Sequence, residues 1–399
     1  MDNTPDYTVW DSYVKRIFAI EDFTIGSVKE PYLVRYRGRL VAPDSAQAYD
    51  QLAGSLQPMG LTPLFRVEDG QHIILITKSA PEPKSNRPLI NLIMFILTLI
   101  SVIASGALTS IETLPGDPVE AFLLILKTGW PFAVSLLAIL GTHEFGHYLA
   151  GRAHGSKVTL PFFIPLPFSA FGTMGAFISM KEAPKNKRTL MDIAVAGPIA
   201  GFIVSIAVIM IGLSLSKLDR IPTLLTAGQG FQIEGNSITY LLLKYLRFGQ
   251  LLPQPLSYGD TAPWLYWVKY LFTAHPFPLG GLDVMIHPVA WAGWAGLLVT
   301  SLNLIPAGQL DGGHVFYLLF GKKKAAQLLP FIIAALAGLG FLWSGWWLWA
   351  GIIFLFGRVY AEPKDQITEL DRPRKFLGII ALIIFLATFS TVPITLISG

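Results

Sequence analysis

The residues best suited to do chemistry are His143, Glu144 and His147, in the run His143-Glu144-Phe145-Gly146-His147. On a helix, four residues at ~100° each bring the two imidazoles to within about 40° of each other on one face, one turn apart. Both can then ligate a single zinc ion, and Glu144 beside them can take a proton from metal-bound water. Two histidines do not complete a catalytic zinc site, which usually takes three protein ligands and a water. The chain has no cysteine, so any metal must use His, Asp or Glu. Asp311 is the natural third ligand: it lies in Asn303-Leu304-Ile305-Pro306-Ala307-Gly308-Gln309-Leu310-Asp311-Gly312-Gly313-His314, at the end of an apolar run. Pro306 and the glycines loosen the helix there and let the carboxylate turn inward. The competing use of Asp311 is as the N-cap of the next helix. His314, one turn on, could compete as a ligand, but a partner that orients a ligand is the role we expect of it.

These groups sit in a chain of 399 residues that is 52% hydrophobic and 14% charged, against about 25% charged residues in soluble domains. The deficit comes from long apolar runs, so the chain reads as a multi-pass α-helical membrane protein. An H-E-x-x-H arises by chance in roughly one chain in a hundred. An ionisable group within an apolar span also costs about 2.5–3.5 kcal/mol by insertion scales. Three such groups in one span are hard to explain as structural filler. The net charge of +4 does not point to nucleic acid, because the basic residues fall between apolar runs rather than in a stripe with aromatics.

A spanning helix needs roughly 20 mostly apolar residues. The spacing predicts five clear spans, over 89–109, 131–151, 191–214, 289–307 and 376–397, and a pair of short helices in 327–357 divided at Ser344-Gly345. Basic clusters at Lys84 and Arg87, Arg152 and Lys157, Lys181–Arg188, Lys322–Lys324 and Arg358–Lys375 fall on one side if the N-terminus is inside. The 110–130 loop, with Glu112, Asp117, Glu120 and Lys127, and the long 215–288 loop then lie outside. Residues 157–180 are apolar but rich in Pro and Gly, with basic flanks on both sides. Such backbone is tolerated at membrane depth only against protein or a wet cavity, so a re-entrant, β-like segment is expected.

Residues 1–86 read as a small soluble cytoplasmic α+β module, for which a regulatory role is expected. Leu33–Arg37 and Leu40-Val41 suit a strand, and Asp44 suits the cap of a helix over Ser45–Leu56. Leu64–Val67, the turn Asp69-Gly70 and His72–Ile76 suit a hairpin. The first 20 residues contain acids and have no continuous apolar core, unlike a signal or transit peptide, so the N-terminus is expected to stay cytoplasmic. The stretch 81–88 reads as a linker. The divisions expected are 1–86, a first span and loop over 87–130, a core over 131–320 and C-terminal spans over 321–399. Trp343, Trp346, Trp347 and Trp349 read as an interfacial belt. His154 is expected at the membrane interface, and His72, His275 and His287 lie away from the site.

The HEFGH run, Gly172-Thr173-Met174-Gly175 in the re-entrant segment, Ala196-Gly197-Pro198 opening the next span and NLIPAGQLDGGH together resemble the site-2 protease family, over about 131–320. The resemblance implies that His143, His147 and Asp311 hold Zn2+ and that Glu144 is the general base. It implies that 158–180 is a membrane-inserted β-hairpin, with Gly172 and Gly175 in it, presenting membrane-embedded protein substrates as an added strand. It also implies that Asn303 positions substrate or stabilises the oxyanion. Many members carry Asn shortly after Ala-Gly-Pro, where this chain has Gly201. Gly228-Gln229-Gly230-Phe231 has a superficial likeness to a PDZ carboxylate-binding loop, but too little chain follows for that domain.

The expected function is therefore intramembrane zinc metalloproteolysis in the lipid bilayer, in a bacterial inner membrane with the site near the cytoplasmic side. Two rivals stand against it. A proton- or ion-coupled transporter would use intramembrane His, Glu and Asp as a relay, and would be expected to show repeated halves with broken helices, which are not seen. An inactive scaffold binding membrane proteins would be expected to lose Glu144 or a ligand, and none is lost. Substrate identity and oligomeric state are not legible.

Overall fold

Ahead of the apolar runs, α1 (Tyr7–Lys15), β1 (Phe18–Ile25), β2 (Val34–Leu40), α2 (Ser45–Leu56), β3 (Leu61–Glu68) and β4 (Gln71–Lys78) form one antiparallel sheet, ordered β1-β2-β4-β3, with two helices. This computed structural model describes residues 7–27, 30–80, 88–111, 113–223 and 230–398. The linker at 81–87, Glu112 and the Gly228-Gln229 part of the PDZ-like run lie outside them. The expected cap is present: the Asp44 carboxylate accepts from the Ala46 N–H at 3.1 Å. Asp69 and Gly70 both take positive φ, 49° and 78°, between paired Glu68 and Gln71, which is the turn that matches the twist of a two-residue hairpin. Alternate residues of β3 point inward, and Phe65, Ile74, Ile76, Tyr36 and Val34 meet Trp10, Val14, Leu52 and Leu56 in one core. The sequence reading did not foresee α1 and β1.

Three described helices are long and apolar enough to cross a membrane: α3 (Pro88–Leu108), α4 (Pro118–Ala153) and, after the short strands β5 (Phe162–Pro165) and β6 (Thr173–Phe177), α5 (Lys187–Leu215). α4 starts well before the expected boundary at 131. Asp117 caps it by accepting from the Val119 and Glu120 N–H groups, and Pro131 sits inside it; neighbouring elements tolerate such a proline in apolar surroundings. Beyond α5 the expected external loop is folded, as β7 (Lys217–Arg220), β8 (Gly230–Glu234), α6 (Ile238–Phe248), α7 (Pro263–Thr273) and β9 (Leu282–Met285), with β7 paired to β9.

Of the five expected spans, three coincide with helices long and apolar enough to cross a membrane, and the helices at the other two are shorter. α8 (Pro288–Asn303) has 16 residues, about 24 Å at 1.5 Å per residue against a hydrocarbon core of about 30 Å. After α9 (Asp311–Phe320), the 327–357 stretch divides as expected into α10 (Lys322–Leu339) and α11 (Gly345–Phe356). α12 (Arg372–Thr388) has 17 residues and ends at Phe389, whose backbone is extended, five residues before Pro393. The last apolar residues, expected to continue that helix, form β10 (Ile394–Ser398), antiparallel to β8. The tryptophan belt is also corrected at one position. Trp346 is fully buried, donates its indole N–H to the Thr391 carbonyl at 2.6 Å and stacks on Phe389.

The main membrane core lies where α4, α5 and α8 meet, with Phe132, Leu136 and Leu140 against Ile209, Leu213, Trp291 and Trp294. This packing brings the C-terminal half of α4, which carries the histidines, against the N-terminal half of α5 and the C-terminal end of α8.

Candidate metal centre

His143 and His147 lie in the last turns of α4, both nearly inaccessible. The His147 Nδ1–H donates to the Ile193 carbonyl of α5 at 2.7 Å. A carbonyl can only accept, so this bond fixes the tautomer and leaves the Nε2 lone pair free for a metal. The ring lies across α5 at Gly197. A Cβ there would stand 2.2 Å from His147 Nε2 and 2.4 Å from its Cδ2, so the Ala196-Gly197-Pro198 motif is the seat of the second histidine. Gly201, one turn along α5, faces the first: a Cβ there would lie 3.1 Å from His143 Nδ1.

Asp311 is the first residue of α9, and the cap position before it belongs to Leu310, which makes no side-chain cap. The carboxylate is thus not spent on capping. One of its oxygens lies 3.4 Å from His143 Nε2 and 3.3 Å from His147 Nε2, and the two imidazole nitrogens are 3.1 Å apart. Three atoms placed tetrahedrally around zinc at about 2.0–2.1 Å are separated by roughly 3.3 Å. The donor set, two nitrogens and one oxygen already at that spacing, fits zinc. Among the described residues, this trio is the cluster of His, Asp and Glu with metal-ligand spacing.

A cavity of about 440 Å³ opens on the trio, with Glu144, Asn303, His314, residues 176–180 and Tyr360 and Ala361 in its wall. Glu144 and Ile178 both line this cavity, so the carboxylate stands beside the 176–180 stretch. The Asn303 amide nitrogen, at the last residue of α8, lies 3.3 Å from His143 Nε2, so it points to the same spot as the ligand atoms. His314 lines the cavity one turn after Asp311 but stands outside the trio, and its Nδ1 finds no partner among the described residues. His154 caps the end of α4 and pairs with Asp192 at 2.8 Å, which Arg374 also grips from α12.

The re-entrant segment is a hairpin of β5 and β6 with Phe163 opposite Ala176 and Ile164 opposite Gly175. The sheet has only these two strands among the described residues, so neither outer edge carries a third. Its support comes from residues that sequence reasoning missed. Asn91 of α3 donates to the Leu160 and Pro161 carbonyls, Ser101 to the Gly172 carbonyl at 2.6 Å and Ser105 to the Ala170 carbonyl at 2.9 Å. The available signal was polar residues recurring on one face of an otherwise apolar run, at 91, 98, 101 and 105. Gly172, at φ +71°, sits at the hairpin turn where a Cβ would strike Ser101 O at 2.6 Å; Gly175, at φ +108°, has open space before it. The cavity wall begins one residue beyond Gly175, at Ala176.

The family model for peptidase family M50 matches residues 131–343. The chain is 32% identical over 294 residues to a probable zinc metalloprotease EGY2, chloroplastic, of Arabidopsis thaliana, covering 72% of this chain and 46% of that protein. It is 29% identical over 342 residues to the probable zinc metalloprotease EGY1, chloroplastic, of the same plant, covering 79% and 55%. Its identity to the rice EGY1 (Oryza sativa subsp. japonica) is 30% over 324 residues, covering 76% and 50%. The chain therefore spans about half the length of the curated relatives it matches. Their names place those proteins in the chloroplast, so the expected bacterial inner membrane finds no support among them, and what stands is an integral membrane protein. No solved structure matches. With the motifs in order, the ligand trio assembled and the family model matched across 131–343, the chain belongs to peptidase family M50, the site-2 protease family.

Proposed function

We propose that this chain is an intramembrane zinc metalloprotease, with its catalytic core in residues 131–320 and His143, His147 and Asp311 as the zinc ligands. The observation that carries the reading is the spacing of the three ligand atoms, 3.1–3.4 Å from one another, with the Glu144 carboxylate in the same cavity. A zinc ion held by His143, His147 and Asp311 would supply Lewis-acid chemistry, acidifying a water and polarising the scissile carbonyl. Glu144 takes the water's proton on its carboxylate as attack begins and delivers it to the leaving amide nitrogen. The Asn303 amide N–H donates to the oxygen that gains charge. Helical peptide bonds are shielded, so substrate is cut as an extended segment, added as a strand to a free hairpin edge near Gly172 and Gly175. Substrates are membrane-embedded proteins, the N-terminus lies on the positively charged side with the site near that face, and no nucleic acid takes part.

The test is removal and return of the metal. Purified protein in lipid discs, given a panel of single-span proteins, is expected to lose cleavage when zinc is chelated and to regain it with added zinc. Unchanged cleavage without zinc overturns the reading. A transporter would instead keep its flux after chelation and release no fragments.

A further inference from the structure

Tyr360 and Ala361 close one side of the zinc cavity, and the chain that follows them does not run freely to α12. It lies along the outer edge of β3. The Phe65 N–H donates to the Lys364 carbonyl at 2.9 Å and the Gln366 N–H to the Phe65 carbonyl at 3.0 Å. The Arg66 guanidinium adds bonds to the Pro363 and Lys364 carbonyls. On its other side the same stretch holds the segment that follows the hairpin: the Lys364 N–H donates to the Pro184 carbonyl at 2.8 Å and the Asp365 N–H to the Lys185 carbonyl at 2.9 Å. Residues 184–186 lead from another part of the cavity wall, at 176–180, into α5, whose N-cap is Asn186. Residues 363–366 therefore bind the N-terminal sheet to both parts of the cavity wall.

Asp365 is the centre of this junction. Its side chain is fully buried, and a lone buried charge is costly unless its oxygens are all hydrogen-bonded. They are here. The carboxylate accepts from Ile367 N–H at 2.8 Å, from Thr368 N–H at 3.1 Å, from the Thr368 hydroxyl and, at 3.2 Å, from the hydroxyl of Ser45, the first residue of α2. Capping does not account for the arrangement, since α12 is capped by Asp371. Ion pairs flank it: Lys364 with Glu182 at 2.6 Å, Lys322 with Glu362 at 2.6 Å, and Lys185 with Asp50 of the N-terminal module. The Lys322 bond holds the Glu362 carboxyl below its usual range.

We propose that Asp365 is a positioning residue through which the N-terminal module sets the opening of the zinc cavity: with Ser45 of the module engaged, Tyr360 and Ala361 are held as a wall, and release of that contact lets the wall move. The consequence for catalysis rests on the protease reading, whereas the coupling does not. A partner that pulls the module from the junction would then act on the site without touching a ligand.

The absence of cysteine among the 399 residues permits a direct test on the zinc-loaded chain. A single cysteine placed at Ala361 reports the wall, and one placed instead at Ser205, fully buried in α5, reports general loosening. The rate of modification by a soluble maleimide is measured for each. Asp365→Ala is expected to raise the rate at 361 by about tenfold or more, the size expected when buried donors lose their acceptor, and to leave 205 unreactive. Asp365→Asn keeps an oxygen for the two backbone N–H groups and is expected to return the rate at 361 most of the way to the parent value. An unchanged rate at 361 in Asp365→Ala, or rates at 361 and 205 rising together, overturns the proposal. If Asp365→Ala does not fold, Ser45→Ala takes its place, with a rise of a few-fold expected at 361 and no change counting against the coupling. Because labelling needs no substrate, a failure here is separable from a failure to cleave.

Discussion

Glu144→Gln is expected to lower the rate of peptide-bond cleavage by about 10²–10⁴-fold, the usual contribution of a positioned general base, with zinc content and fold unchanged. Glutamine has the same shape and volume as Glu144, so the cavity wall stays in place. What it loses is the ability to carry a proton between water and the leaving nitrogen. Glu144 is also not one of the three groups whose atoms meet, so the metal has no reason to leave. The measurement is initial cleavage rate alongside zinc per chain by mass spectrometry. Retained activity with retained zinc would move the base elsewhere, and His314, in the same cavity, would be the next residue to test.

The second large effect is expected at a residue with no functional group. Gly197→Ala should lower zinc affinity by about 100-fold or more, at or beyond the upper end for changes that misorient a ligand. The added Cβ would sit 2.2 Å from Nε2 and 2.5 Å from Cε1 of His147, far inside contact distance. The ring cannot simply swing away, because Nδ1 is tied to the Ile193 carbonyl of the same helix. Either that bond breaks or α4 and α5 separate, and in both cases Nε2 leaves the triangle with His143 and Asp311. Gly338→Ala in α10, where a Cβ meets nothing within 4 Å, is the control: a helical glycine in open space should gain stability by about 0.5–1 kcal/mol on substitution. Zinc titration of both variants checks the contrast, and equal affinities would show that the close fit at Gly197 is not what seats the ligand.

The candidate site was legible because ionisable side chains stand out within apolar runs. Imidazoles four apart can only share a helix face, and Asp311 follows a broken span, so these residues could be picked out without knowing how the helices pack. The hairpin was readable for a related reason, since Pro and Gly at membrane depth need cover. Three things were not legible. Helix lengths failed at α8 and α12, because an apolar run does not say whether its last residues continue as helix or leave as strand; β10 finds its partner in β8, more than 150 residues earlier. Burial of Trp346 depends on Phe389 and Thr391 across the fold, while its own neighbours read as an interface. The junction at Asp365 joins residues some 300 positions apart, Phe65 and Ser45 to 364–366, by backbone bonds that have no periodic signature.

The central claim is that one divalent ion is held by two imidazoles of α4 and a carboxylate of α9. Zinc per chain, measured on purified wild-type protein and on Asp311→Ala, tests it most directly. An equimolar zinc ion is expected in the wild type and is expected to be largely lost from folded Asp311→Ala. Full retention of zinc by Asp311→Ala would contradict it.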